Sequence, residues 1–186
     1  MYKSLTIILL SFSFFSCQQN SASSQTASTQ AIPFFNLKSF FETEINTKLK
    51  NYKLVKKTVT INGRVETKNI EIMDWHEELS PFFNADINKP AWHDKYQLIE
   101  KPFGANGTVR TYQTNEKHLK TKQLSVIQDD STKDFKINIL TSDKTAVTQS
   151  DTQLLYDTHS GYTISTQQKL LGSTETVVIQ VEFLKN

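Results

Sequence analysis

The chain has 186 residues, 37% of them hydrophobic, which suits one globular domain with a buried core and leaves too little for two. Lys and Arg total 21 against 19 Asp and Glu, for a formal charge of +2, and the lysines are interleaved with acids. Such a balance lacks the basic face needed for binding phosphates by counterion release, and it argues against nucleic acid as a partner.

The first sixteen residues have an export pattern. Lys3 supplies a thin positive start, an apolar run follows from Leu5 to Phe15, and small polar residues come next. As a helix this run would rise only about 16 Å, roughly half the thickness of a bilayer's hydrocarbon core, so it reads as a leader and not a span. No later apolar run reaches spanning length, and the body is expected to be soluble. The chain's single cysteine, Cys17, falls directly after the leader. A lone cysteine cannot close an intramolecular disulfide, which excludes that structural role.

The segment Phe14-Phe15-Ser16-Cys17 resembles the lipobox of bacterial lipoproteins. That resemblance implies cleavage just before Cys17, a diacylglycerol on its thiol, and palmitate-type acylation of the new amino terminus. Gln18 stands where many Gram-negative lipoproteins retained at the inner membrane carry aspartate. The expected location is therefore the cell envelope, at the outer membrane, facing the periplasm or the cell surface. Membrane contact would run through the lipid on Cys17, and two or more acyl chains would make it firm.

From Gln18 to Ala31 the residues are Gln, Asn, Ser, Ala and Thr with no large apolar side chain, which reads as a flexible tether. The expected organisation is a leader over 1–16, the lipidated cysteine and tether over 17–31, and a single globular domain over 32–186.

That domain opens with an amphipathic helix. Leu37, Phe40, Phe41, Ile45, Leu49 and Tyr52 share one face, Asn36 is placed to cap it, and Phe35 is placed to staple onto Phe40. Next, Val55, Val59 and Ile61 lead into Asn62-Gly63, a strong hairpin signal, and Val65, Ile70 and Ile72 return. The charges at Arg64, Glu66 and Lys68 leave the register of the return strand open. A second, short helix is expected from Asp74, with a capping-box spacing to Glu77 and with Trp75, Leu79, Phe82 and Phe83 on one face. Pro81 should end or distort it. Asn84 to Trp92 reads as an ordered loop anchored by Ile87 and Trp92.

The remaining half alternates apolar and polar residues, most cleanly at Val177, Ile179, Val181 and Phe183. Strands are expected near Lys95 to Ile99, Thr108 to Tyr112, Leu119 to Ile127, Phe135 to Ile139, Ala146 to Tyr156, Tyr162 to Thr166 and Val177 to Phe183. Turns are expected at Gly104 to Gly107, Asp129 to Lys133, Ser142 to Lys144, His159 to Gly161 and Gly172 to Ser173. The fold class is α+β: an amino-terminal amphipathic helix and a short second helix packed on a curved, mostly antiparallel β-meander of about nine strands.

No catalytic signature emerges. The glycines fall at turns and form no phosphate loop, there is no Gly-x-Ser-x-Gly elbow, and no cofactor is implied. The histidines are His76, His93, His118 and His159. Carboxylates adjoin two of them, in Trp75-His76-Glu77-Glu78 and Trp92-His93-Asp94, but the spacing matches no metal-ligand signature, and no metal site is assigned. The acidic pairs Glu77-Glu78 and Asp129-Asp130 suit a helix's first turn and a hairpin turn.

Three functions follow in order. The first is a non-catalytic, membrane-anchored module that binds or supports an envelope protein. The second is a carrier of a lipid or acyl chain, on an architecture that resembles lipocalins and the periplasmic lipoprotein carriers and receptors, with Phe40, Phe41, Trp75, Phe82, Phe83 and Trp92 lining the cavity. The third is a metal-assisted hydrolase using His76 or His93. The body as a whole resembles the small uncharacterised lipoproteins of Gram-negative envelopes, from which no activity carries over.

Overall fold

The computed structural model describes residues 34–184. The leader, Cys17 and the tether lie outside the described residues.

One antiparallel sheet of nine strands organises the domain. Its strands are β1 (Leu54–Ile61), β2 (Arg64–Glu71), β3 (Gln97–Phe103), β4 (Gly107–Gln113), β5 (Thr121–Asp129), β6 (Asp134–Lys144), β7 (Thr148–Asp157), β8 (Gly161–Leu170) and β9 (Ser173–Phe183). In space the order is β2-β1-β9-β8-β7-β6-β5-β4-β3, so the sheet is open, with β2 and β3 at its edges. From β3 to β9 each strand pairs with the next in sequence, and the β1–β2 hairpin then adds beside β9.

Three helices accompany the sheet: α1 (Leu37–Thr47), α2 (Trp75–Glu78) and α3 (Ser80–Asn84). Asn36 caps α1 by accepting from the Ser39 amide at 2.9 Å, and Phe35 packs against Phe40 at 5.6 Å between ring centres. Asp74 caps α2 by accepting from the amides of His76 and Glu77.

The helices face one side of the sheet. Phe41 of α1 and Phe82 of α3 both contact Tyr156 of β7, and Phe82 also contacts Tyr162 of β8. Strand alternation brings Val55, Tyr112, Leu124, Val126, Ile137, Ile139, Leu154 and Val181 to the same side, and all are buried. Residues one step along each strand point to the other side, which carries no helix among the described residues.

The structure departs from the sequence reading in several places: α1 ends at Thr47, so Leu49 falls in a separate 3-10 turn (Leu49–Asn51) and Tyr52 beyond it. The helix expected from Asp74 is two helices, and Pro81 lies in the first turn of α3, where its missing N–H has no partner to lose. β6 runs through Ser142 to Lys144, so the turn falls at Thr145 to Val147 instead. There the Thr145 hydroxyl accepts from the Val147 and Thr148 amides and closes the loop. The β8–β9 turn is Leu171-Gly172, one residue earlier than expected, with positive φ at both positions.

Candidate functional site

Two polar contacts, one buried and one part-buried, fasten helices to the sheet. Glu44 of α1 is only 6% exposed, and its carboxylate accepts from the Tyr156 hydroxyl at 2.9 Å while Lys48 approaches at 3.4 Å. Glu78 of α2 accepts from the Tyr162 hydroxyl and from Lys57 of β1, the latter at 2.5 Å. Burial, then the neighbouring carboxylates, push both tyrosine hydroxyls well above their ordinary pKa, so both stay protonated and donate. The loop before β3 is tied down in the same style. The Tyr96 hydroxyl donates to the Thr121 carbonyl at 2.7 Å, and the Thr121 hydroxyl donates to the Ala85 carbonyl at 3.0 Å.

The aromatic residues nominated as cavity walls divide between core and margin. Phe41, Trp75 and Phe82 are buried, whereas Phe40, Phe83 and Trp92 are partly buried and packed against the same cluster. Phe41 meets Phe40, Phe82 and Phe83 at 5.1, 5.1 and 5.9 Å between ring centres. Trp75 meets Phe183, and Trp92 carries the Lys89 ammonium 4.0 Å over its ring.

Where α3 meets the sheet there is a cleft of about 330 Å³ with a mixed lining, in which hydroxyls such as those of Ser80, Thr152 and Thr166 stand beside Pro81, Leu154 and Ile164.

A larger cavity, about 580 Å³, opens among side chains on the helix-free side. Val109 of β4, Ile127 of β5 and Leu155 of β7 give it apolar contact surface. Ser125, Asn138, Thr163 and Gln180 surround these with neutral hydrogen-bonding groups, and Lys136, Asp157 and Glu182 add charge. The charges are already paired, Lys136 with Asp157 at 3.0 Å and Glu182 with Lys56 at 3.3 Å. Burial works to raise the Asp157 pKa, but the His159 and Ser160 amides and Lys136 outweigh it, and the carboxyl is held below its ordinary value.

Gly161 forms part of this wall, and no other residue fits there. Its φ is +133°, and a Cβ would lie 1.9 Å from the Val181 carbonyl oxygen. The close approach lets β8 and β9 pair tightly where the cavity begins.

The histidines do not converge. His76 bonds Glu42 at 3.0 Å and stacks on Phe83, and His93 donates from Nδ1 to the Pro90 carbonyl. His118 lies near Glu116, and His159 meets Asp134 at 2.6 Å. Among the described residues no three His, Cys, Asp or Glu side chains come together in a metal-binding group.

The sequence reading missed both the Tyr–Glu contacts and the helix-free cavity. Their only trace was that Tyr156 and Tyr162 occupy inward positions of alternating strands, while Val109, Ile127 and Leu155 interrupt otherwise polar outward positions. No family model matches the chain, and no curated protein or solved structure matches it.

Proposed function

We propose that the chain is a lipid-anchored envelope protein whose sheet serves as a non-catalytic binding module, with the helix-free cavity as its contact site. The observation that carries this reading is the cavity itself. It joins an apolar patch to neutral polar groups, and its volume falls within the range of roughly 300–1,000 Å³ common to small-ligand sites. Each charge that lines it already has an ion-pair partner, so a partner would be recognised by shape, apolar contact and neutral hydrogen bonds. The anchoring half of the reading is supported by the resemblance of Phe14-Phe15-Ser16-Cys17 to a lipobox, which implies palmitate-type acylation and the outer membrane.

Val109, Ile127 and Leu155 also favour a second reading, carriage of a lipid or acyl chain. In that reading the curved meander holds the chain on its helix-free side, and Phe40, Phe41, Trp75, Phe82, Phe83 and Trp92 act as packing behind it.

One measurement tests the anchor, and a second tests the cavity and the carrier reading. Labelled palmitate should enter the wild-type chain and not Cys17→Ala; equal labelling of both would overturn the anchor. A fluorescent fatty-acid analogue should bind the wild type and bind Leu155→Asp about tenfold more weakly or worse. Leu155 is 39% exposed, so this substitution leaves the core intact. Saturable binding lost in Leu155→Asp supports the carrier reading, absent wild-type binding removes it, and equal binding by both removes the cavity as the site.

A further inference from the structure

The two edges of the sheet are built differently. Backbone bonds Thr114 N–H to Lys122 O and Asp130 N–H to Asn106 O fix which β4 residues bond β5. By alternation Leu98, Glu100 and Pro102 of β3 turn their backbone outward. Pro102 has no amide to offer, so that edge is blunted. β2 contains no proline: its eight residues pair without interruption to β1, and all but Ile70 are exposed.

The outward row on β2 follows in the same way. Asn62-Gly63 closes a two-residue hairpin at the pair Ile61–Arg64, and the Ile72 amide bonds the Lys53 carbonyl at 2.8 Å. Even-numbered residues therefore bond β1, and among the described residues Val65, Thr67, Asn69 and Glu71 present free N–H and C=O groups at the edge.

We infer that β2 is a self-pairing edge, joining a second copy of this chain in antiparallel register with Thr67 opposite Thr67. A twofold axis across such a pair requires each residue to face one of the same parity. Centring on Glu66 would oppose Glu66 to itself, and centring on Lys68 would oppose Lys68 to itself, both unfavourable. Centring on Thr67 places each Glu66 opposite the other copy's Lys68, twice by symmetry. It also exchanges backbone bonds at Thr67 and between Val65 and Asn69, using the free row. Arg64 then lies across from Ile70, where its aliphatic stem covers an apolar side chain. In a single copy Glu66 and Lys68 pair with each other, so association exchanges partners without stranding a charge. The inference does not depend on the lipid anchor or on the cavity.

Sedimentation equilibrium of the full chain in density-matched detergent tests it. Wild type should associate reversibly to a dimer. Glu66→Lys and Lys68→Glu should each weaken the dimer about tenfold, since each creates two like-charge contacts. An equimolar mixture of the two variants should recover dimer, because the first chain's lysines then face the second chain's glutamates. The double variant Glu66→Lys/Lys68→Glu should dimerise like wild type. Thr67→Pro should abolish dimerisation while leaving the β1 ladder intact, because its amide points outward. A wild-type chain that stays monomeric up to about millimolar concentration overturns the inference. So do single variants that dimerise unchanged, or a mixture that fails to recover dimer.

Discussion

Tyr156 and Tyr162 stand directly opposite one another across the β7–β8 pair, and each donates its hydroxyl to a glutamate from a different helix, Glu44 or Glu78. The two glutamates are not equally provided for. Glu44 is buried and, among the described residues, has besides its tyrosine the more distant Lys48, whereas Glu78 keeps Lys57 at 2.5 Å. Tyr156→Phe should therefore cost about 2–3 kcal/mol and Tyr162→Phe about 1 kcal/mol, because the first leaves a buried carboxylate short of a donor. Urea unfolding with an unchanged slope would measure both, and a Tyr162→Phe loss equal to or larger than that of Tyr156→Phe would refute the ranking.

The same chemistry sets an alkaline limit. Burial raises the Tyr96 pKa from 10.0 to about 12, and burial also raises those of Tyr156 and Tyr162. The unfolded chain then releases these protons at lower pH than the folded one does. Stability contributed by the three hydroxyls is intact below about pH 10 and declines as the pH climbs toward 12. Thermal midpoints recorded from neutral pH upward should fall through this window, and Tyr96→Phe should fall less steeply from a lower starting value. A wild-type midpoint that stays level to pH 12 would contradict the assignment.

Gly161 and Gly63 offer a contrast between steric exclusion and backbone preference. An alanine at 161 would drive its Cβ to 1.9 Å from the Val181 carbonyl oxygen, while one at 63 meets open space and only the penalty of φ +86°. Gly161→Ala should cost about 3 kcal/mol or more, with weaker probe binding in the adjacent cavity; Gly63→Ala should cost about 1 kcal/mol. Calorimetry of the two variants side by side decides it, and equal losses would mean that β8 and β9 can separate at little cost.

Two hairpin turns share one backbone shape and differ in sequence. Asn62-Gly63 has φ of 48° and 86°; Leu171-Gly172 has φ of 46° and 90°. Asn suits the left-handed conformation and Leu does not, and Leu171 is 85% exposed, so its side chain offers no compensating packing. Leu171→Asn should stabilise the fold by about 0.5–1 kcal/mol, seen as a raised thermal midpoint.

These turns also show why part of the architecture was legible in the sequence. Asn62-Gly63 named its hairpin because both residues prefer the geometry, whereas Leu171 hid its turn and shifted the expected position by one residue. The clean alternation of Val177 to Phe183 announced β9, whereas Arg64, Glu66 and Lys68 left the register of β2 open, because the outer positions of an edge strand need no apolar pattern. β6 outran its expected turn because Ser142-Asp143-Lys144 has turn composition, yet Ser142 finds an Asp151 partner across the strand pair at 2.6 Å. The candidate site was least legible. It depends on which outward residues of β4, β5 and β7 become neighbours, and sheet order rather than local sequence decides that.

The placement of β1 against β9 bears on how the chain reaches this fold. The β1–β2 hairpin can close by local contacts as soon as its residues are available, but its inner neighbour comes from the far end of the domain. Until β9 arrives, the hairpin waits with two unsatisfied edges in place of one, during the interval when unpaired strands are most prone to join the wrong chain. Docking of β9 would then be the late, rate-limiting event.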